Sequence, residues 1–301
     1  MQLTPDVILG TVIGFLAAFM WAVSVVVYRS QSDEIRPLAI GSVKMWVALG
    51  FMILLVMIPW RPNVFTVPFE SIIYLALSTS LGAVIGDTIL FMSQERIGVS
   101  YSFPIAMSFP VLTYILAILI LEDEVSAFQF LGTVIAVLGI ILISREQNRR
   151  QVEEGNSQID LLGIGMALFT MVCYAVGTVF LEIGVTGVDP IDANFVRIVI
   201  GSVEFVPIYI VASQMGMPRP TRHATEIVAV AGFFGMALGS VLYVVMVKYI
   251  GAAMGSVIGS TSPLFAVPIS IVFLKERPTR LAIVGILIAI LGVVLVVGNI
   301  Q

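Results

Sequence analysis

Four charged side chains lie inside long apolar stretches of the sequence: Lys44, Asp87, Arg197 and Glu204. A lysine, arginine or aspartate at the centre of a membrane helix costs about 2.5–3.5 kcal/mol on insertion scales, so such groups persist where they face a cavity or one another. A buried cation can hold a carboxylate or a phosphate, and arginine can do so with two hydrogen bonds. A buried aspartate can hold an amine or carry a proton. These residues predict a site for a small charged solute.

Polar and aromatic residues in the same stretches extend this candidate site. Asn194 lies three residues before Arg197, on the same face of a helix. Trp21 and Tyr174 lie deep in their stretches, away from the membrane interface where such rings usually gather, so their polar tips need partners. The predicted substrate-binding residues are Lys44, Arg197, Asp87, Trp21, Tyr174 and Asn194. Pro110 and Pro263, each preceded by serine within two residues, predict helix bends that act as gates.

Each of these residues also has a structural interpretation. At 1.5 Å per residue, Lys44 and Arg197 lie about 10 Å from the cytoplasmic side, within the reach of a snorkelling side chain. They can instead pair with Asp87 or Glu204. The two aromatic rings can simply pack between helices, and the proline bends can be static kinks whose carbonyls bond neighbouring hydroxyls. The sequence leaves these alternatives open.

The composition places these residues in membrane helices. Of the 301 residues, 59% are hydrophobic and 11% are charged, whereas soluble proteins contain about 45–50% and about 25%. This excludes a soluble enzyme, a secreted disulfide scaffold and a disordered protein. Cys173 is the only cysteine and His223 the only histidine, so the sequence predicts no disulfide, no metal site and no cofactor.

Ten apolar runs of spanning length predict an all-α polytopic membrane protein with ten transmembrane helices. They lie near residues 7–28, 38–58, 71–92, 100–121, 127–143, 161–181, 191–212, 227–249, 252–274 and 280–297. The first run lacks a preceding basic segment, and we interpret it as a helix and not as a cleavable signal. The polar stretch 144–160 predicts a linker between two halves.

The two halves are internal repeats. A shift of 153 residues aligns them without a gap and superposes six glycines of the first half on glycines of the second, where chance predicts about one. The shift also places Lys44 on Arg197 and Trp21 on Tyr174. Since five helices per repeat is an odd number, the second copy must enter the membrane from the opposite side. The chain is therefore predicted to contain two inverted five-helix repeats, 1–143 and 161–301, as in many secondary transporters.

The distribution of lysine and arginine predicts the orientation. The links after the odd-numbered helices contain eleven of these residues, and the opposite side contains Arg61 and Lys248. Because basic residues accumulate on the cytoplasmic side, we expect the odd-numbered links in the cytoplasm and both termini outside.

Four motifs recur in the same order in both halves. They are Gly10…Trp21-Ala22 and Gly163…Tyr174-Ala175; Pro37…Lys44 and Pro190…Arg197; Pro110…Glu122-Asp123-Glu124 and Pro263…Lys275-Glu276; and the glycine pairs Gly132, Gly139 and Gly285, Gly292. With these motifs the chain resembles the drug/metabolite transporter superfamily, specifically its ten-helix EamA type. Lys44 stands where the family usually has arginine. The resemblance implies a central cavity between the halves and transport of small metabolites, often amino acids or related polar compounds.

The predicted function is secondary transport of a small-molecule substrate in the cell membrane, with a proton as a second candidate ligand. No Gly-x-x-x-x-Gly-Lys-Ser/Thr loop occurs, so ATP does not drive transport in this chain. A lipid or isoprenoid-carrier flippase of the same fold is the alternative, followed by a channel. A membrane enzyme is not expected, because the sequence lacks His-Glu-x-x-His and Asp87 has no aspartate partner at membrane depth. Nothing indicates nucleic-acid binding, and one chain carries both halves, so a monomer is sufficient.

Overall fold

The computed structural model describes residues 5–57, 66–97, 99–122, 126–153, 160–266, 269 and 280–298, and within these ranges the chain is helical apart from short turns. The helices are α1 (Pro5–Ser30), α2 (Pro37–Val56), α3 (Phe69–Ile97), α4 (Val99–Ala106), α5 (Phe109–Leu121), α6 (Ala127–Glu153), α7 (Leu161–Val185), α8 (Pro190–Gln214), α9 (Arg222–Gly259) and α10 (Arg280–Gly298).

Six of these helices are long and apolar enough to cross a membrane: α1, α2, α3, α7, α8 and α9. Shorter apolar helices cover α5 and parts of α6 and α10. The helix predicted at 100–121 is divided into α4 and α5, and most of the predicted segment 267–274 lies outside the described residues. The predicted fold class, an all-α polytopic membrane protein, is confirmed.

Short polar side chains cap the N-termini of α7, α8 and α9. Asp160 accepts hydrogen bonds from the backbone N–H groups of Leu162 and Gly163, each at 3.0 Å, and starts α7. The hydrogen bond from the Gly163 N–H lowers the pKa of the Asp160 carboxyl below its usual value, and the hydrogen bond from Arg96, at 2.8 Å, lowers it further.

Before this cap, α6 continues to Glu153, so the first part of the predicted linker 144–160 is helical.

The two halves have opposite orientations. The hydroxyl of Thr221, at the start of α9, donates to the carboxylate of Glu34, just before α2. Lys248, near the far end of the long first segment of α9, donates to the Val188 carbonyl, just before α8, at 2.8 Å. The N-termini of α2 and α8 therefore lie at opposite ends of α9. Since these two helices are equivalent in the repeat, the repeats are inverted, as the odd number of helices per repeat predicts.

Helices α6 and α10 cross in backbone contact. A Cβ atom placed on Gly139 would overlap the backbone of Ala289, and one placed on Gly292 would overlap the backbone of Ala136. The 153-residue shift converts each of these contacts into the other. The pseudo-two-fold axis that relates the halves therefore passes through this crossing, where small residues at intervals of three and four allow close approach.

Gly251 interrupts α9 at the boundary between the helices predicted at 227–249 and 252–274. Its backbone adopts φ 75° and ψ 171°, a combination that is essentially restricted to glycine. The segment that follows is capped by Glu182 of α7, whose carboxylate accepts the Ala252 N–H at 2.5 Å. The break thus separates two parts of α9 that contribute different residues to the centre of the molecule.

Gly251→Ala is expected to lower the free energy of unfolding by about 1–3 kcal/mol, because an alanine side chain strains this backbone conformation. Thermal unfolding of the purified protein in detergent measures the change. The control is Gly165→Ala, at a helical position with no atom within 4 Å of the added Cβ, where we expect a gain of about 0.5–1 kcal/mol. Equal effects of the two substitutions would contradict the assignment of strain to Gly251.

Candidate functional site

A cavity of about 140 Å³ lies between the two halves. Helices α1, α2 and α3 of the first half and α7, α8 and α9 of the second contribute most of its wall. Much of this wall is apolar or glycine, including Ala17, Ala18, Phe109 and Met236. The charged residues that line it are Lys44, Asp87 and Arg197. Among the described residues, the cavity is therefore a mostly apolar chamber with three charged groups.

Five of the six predicted substrate-binding residues line this cavity: Lys44, Asp87, Arg197, Trp21 and Tyr174. The sixth, Asn194, is fully buried behind the wall and contacts Arg197. The structure thus brings together residues that are far apart in the sequence. The sequence relates them only as charged or aromatic residues in apolar stretches, some of which are equivalent in the repeat. Glu204, the remaining intramembrane charge, is outside the lining and accepts a hydrogen bond from Ser80 at 2.5 Å.

Asp87 is the centre of a hydrogen-bonded cluster with Lys44 and Tyr174. The Lys44 ammonium donates to one carboxylate oxygen of Asp87, and the Tyr174 hydroxyl donates to the other at 2.5 Å. The Lys44 nitrogen also lies 5.2 Å from the centroid of the Phe91 ring, within the range of a cation–π contact. Both oxygens of Asp87 therefore have donors from the protein itself, which matches the structural alternative that Lys44 pairs internally with Asp87.

The aromatic side chains of the site pack edge to face. Trp21 and Tyr174, which are equivalent in the repeat, contact each other with ring centroids 6.0 Å apart and an interplanar angle of 72°. Phe109 contacts Tyr174 at 5.8 Å and 74°. Such pairs stabilise by about 0.5–1.5 kcal/mol beyond area burial. The rings therefore both line the cavity and pack between helices, so the two interpretations of these residues are not exclusive.

Arg197 has a much less complete set of partners than Lys44. Its terminal Nη1 donates to the Asn194 side-chain oxygen at 3.4 Å, and its Nε is buried without an acceptor among the described residues. The Ser240 hydroxyl donates to the same Asn194 oxygen at 2.7 Å. No carboxylate in the described part of the chain lies within ion-pair distance of Arg197. Asn194 therefore joins Arg197 and Ser240 at one oxygen atom.

The two cations approach the cavity from opposite faces of the membrane. Because the N-termini of α2 and α8 lie at opposite ends of α9, Lys44 and Arg197 are each about seven residues from a different face. The interpretation that both lie near the cytoplasmic side is therefore wrong for one of them. Each residue lies about two helical turns from the start of its helix, but the inversion places these two helix starts at opposite faces.

The two prolines predicted as gates lie at helix starts and not in the middle of helices. Pro110 is the second residue of α5, and Pro263 is the second residue of a helical turn over residues 262–266. The first N–H groups of a helix have no intrahelical acceptor, so a proline there removes no hydrogen bond. The expectation that these prolines bend the middle of a helix is therefore wrong, and their role as gates remains a prediction. Phe109 and Gly259, beside the two breaks, line the cavity.

A π-helical turn precedes the site in each half. One covers Ser80–Gly86 in α3, directly before Asp87, and the other covers Phe233–Leu238 in α9, followed by Gly239 and Ser240. The 153-residue shift superposes their first residues. Such turns insert one residue into a helix and often occur at functional sites. Asp87 and Ser240, which follow these turns and are equivalent in the repeat, both line the cavity.

Several lining residues were not identified from the sequence. Thr178 and Tyr243 are joined by a hydrogen bond of 2.9 Å, and Tyr28 has a buried hydroxyl without a partner in the described ranges. All three line the cavity. Ser240 was also missed, although the repeat shift that pairs Lys44 with Arg197 also pairs Asp87 with Ser240.

Two inverted repeats around a central cavity with buried charges are typical of secondary membrane transporters. The model of the EamA-like transporter family matches residues 8–145 and again 161–298. The chain therefore belongs to the EamA-like transporter family and is a multi-pass membrane transporter of the drug/metabolite type, as the sequence motifs indicate.

Relatives that are also named as transporters align with most of the chain. It is 23% identical to an uncharacterized transporter of Archaeoglobus fulgidus over 93% of this chain and 94% of the relative. It is 25% identical to the uncharacterized transporter YyaM of Bacillus subtilis over 68% of each protein. The crystal structure of another protein superposes with a TM-score of 0.76 over 95% of both chains at 13% identity. At that identity the similarity shows the fold alone.

Proposed function

We propose that the protein is a secondary transporter that moves small polar metabolites, such as amino acids or related organic anions, without ATP. In this proposal the repeats 1–143 and 161–301, joined by the linker 144–160, alternately open the cavity to the two sides of the cell membrane. The observation that supports it is the cavity between the halves, with Lys44, Asp87 and Arg197 in its wall. Charges at this depth are retained where they serve a solute or one another.

The inverted symmetry supplies a physical route for the movement. Two copies of one fold can each adopt either of two conformations, and exchanging these conformations opens the opposite side. The breaks before Pro110 and Pro263 lie beside cavity residues and are the proposed gates. The eleven basic residues on one side support an orientation with both termini outside. One chain contributes both halves of the cavity, so we propose that a monomer transports, with neither a cofactor nor an enzymatic step.

Counterflow in proteoliposomes tests this function. Vesicles loaded with a mixture of amino acids and organic acids are expected to accumulate a labelled member of the mixture transiently, because a carrier exchanges solute across the membrane. Arg197→Gln is expected to abolish this exchange, and Arg222→Gln, at an exposed residue that pairs with Glu226, serves as the control.

The other candidate functions give different results in the same vesicles. A channel would equilibrate the label without transient accumulation. Folded protein that moves no water-soluble compound, but moves a labelled phospholipid or isoprenoid carrier between leaflets, would overturn the proposal in favour of a flippase.

We propose that Asp87 carries a proton coupled to transport. Asp87→Asn is expected to abolish uptake driven by a pH gradient and to leave counterflow measurable, because exchange requires no net proton movement. Glu204→Gln is the control, since Glu204 is the other intramembrane acid and lies outside the cavity lining. Full gradient-driven uptake by Asp87→Asn would contradict coupling through Asp87.

A further inference from the structure

The repeat relates each cavity residue of the first half to one of the second half. In the described residues, the second half lacks the counterpart of the Asp87 carboxylate. The 153-residue shift superposes Lys44 on Arg197 and Asp87 on Ser240. On the first side, the cation Lys44 has the carboxylate of Asp87 as its partner. On the second side, the residue equivalent to Asp87 is Ser240, which carries no charge. Among the residues that the structure describes, Arg197 therefore has no anion equivalent to the one that completes the first pair.

Ser240 is the repeat equivalent of Asp87 and is linked to Arg197 through Asn194. The Ser240 hydroxyl and the Arg197 guanidinium both bond the same Asn194 oxygen, at 2.7 and 3.4 Å. Both residues line the cavity. Arg197 is only 7% exposed, and its Nε has no acceptor in the part of the chain that the structure describes. A buried guanidinium that has an unused donor and belongs to a residue of the cavity wall is suited to an anionic ligand.

We infer that the substrate supplies the missing anion: a single carboxylate binds Arg197 at the Ser240 position, on a solute with one net negative charge. This inference rests on the proposed transport function and specifies its substrate class. With Asp87 ionised, the charged lining residues carry one net positive charge, since Lys44 and Asp87 cancel and Arg197 remains. A monocarboxylate brings the occupied cavity to neutrality, which lowers the cost of holding charge at membrane depth.

The remainder of the wall argues against a zwitterion and favours an apolar substituent. An amino acid would need an acceptor for its ammonium group, and Asp87, the lining carboxylate in the described residues, already accepts from Lys44 and Tyr174. Trp21, Phe109 and Met236 provide apolar surface for the body of the solute. The ligand that fits is a monocarboxylate that carries an aliphatic or aromatic group.

Three probes that share a phenylethyl unit test the charge preference: 3-phenyllactate, phenylalanine and phenethylamine, with net charges of −1, 0 and +1. A set of aliphatic 2-hydroxy acids, amino acids and amines of equal length accompanies them. Binding to the detergent-purified protein is measured by titration calorimetry and by the shift in thermal unfolding. We expect the carboxylates to bind at least about tenfold tighter than their matched amino acids and amines, the scale of one charged hydrogen bond.

Variants at position 240 test the location. Ser240→Asp restores by mutation the anion that the symmetry lacks, so it is expected to pair with Arg197 and to weaken carboxylate binding by at least about tenfold relative to Ser240→Asn, which has the same shape without the charge. The unliganded Ser240→Asp protein is expected to unfold at a temperature no lower than that of Ser240→Asn, which separates the effect from misfolding.

Three results would overturn the inference: carboxylate binding that is equal in Ser240→Asp and Ser240→Asn, tighter binding of the amino acids or amines, or no binding of any carboxylate in the set. None of them depends on transport. Counterflow of a zwitterion or a cation would leave the proposed function intact while rejecting this substrate class. Carboxylate binding without counterflow would support this ligand class while rejecting the proposed transport function.

Discussion

Lys44→Met is expected to destabilise the folded protein by about 3–5 kcal/mol, the usual cost of breaking a buried ion pair by removing one partner. Methionine has nearly the length of lysine, so the packing around a side chain that is 2% exposed is largely retained. What changes is Asp87, which loses the ammonium at one oxygen and keeps only the Tyr174 hydroxyl at the other. Unfolding of the purified protein in detergent, followed by temperature or denaturant, measures the loss.

Two further variants isolate the charge. Adding Asp87→Asn to Lys44→Met is expected to recover part of the lost stability, because replacing both partners of a buried pair is often nearly neutral. Lys248→Met removes a lysine whose partner is a backbone carbonyl at the edge of the protein, and a small effect is expected. If Lys44→Met and Lys248→Met had equal effects, the pair with Asp87 would not hold α2 against α3.

Gly139→Val is expected to disrupt the crossing of α6 and α10, with a loss of about 2–3 kcal/mol or more in unfolding free energy. The added Cβ would overlap the backbone of Ala289, and the carbonyl of Gly285 would lie 2.7 Å away. Backbone atoms cannot move aside as a flexible side chain can, so the two helices must separate. Thermal unfolding in detergent detects the change, and loss of the monodisperse protein peak accompanies it.

The control for this crossing is Gly50→Val, at an exposed position of α2 where no atom lies within 4 Å of an added Cβ. We expect it to leave the unfolding temperature nearly unchanged. Symmetry supplies a second comparison: Gly292→Val meets Ala136 as Gly139→Val meets Ala289, so the two variants are expected to lose similar stability. Wild-type stability in either variant would contradict the backbone contact on the axis.

The overall fold could be predicted from the sequence because its determinants are periodic. Apolar runs of spanning length identify the helices, and the aligned glycines identify the repeat and, through its odd helix count, the inversion. The division between α4 and α5 is not evident from the sequence because a single serine, Ser108, hardly lowers the hydropathy of the apolar run 100–121. The extension of α6 to Glu153 was missed because a charged helix beyond the membrane has the same composition as a loop.

The sequence predicts which charged residues line the cavity, but it does not predict which of them form ion pairs. Lys44, Asp87 and Arg197 are conspicuous because charge is rare in apolar stretches, and all three line the cavity. Which carboxylate pairs with which cation depends on the packing of α2 against α3 and α8, which the sequence does not specify. Ser240 was overlooked because a serine in a membrane helix is unremarkable until its repeat counterpart is seen to be Asp87.

The central claim, that the repeats open the cavity alternately to the two faces, is tested most directly by distances across each face. Spin labels on Arg29→Cys with Met215→Cys report one face, and labels on Met57→Cys with Thr186→Cys report the other, in a Cys173→Ser background. All four labelled positions are exposed. Alternating access predicts two distance populations on each face, and conditions that lengthen one pair shorten the other. Lengthening of both pairs together, or single fixed distances at both faces under every condition, would contradict it.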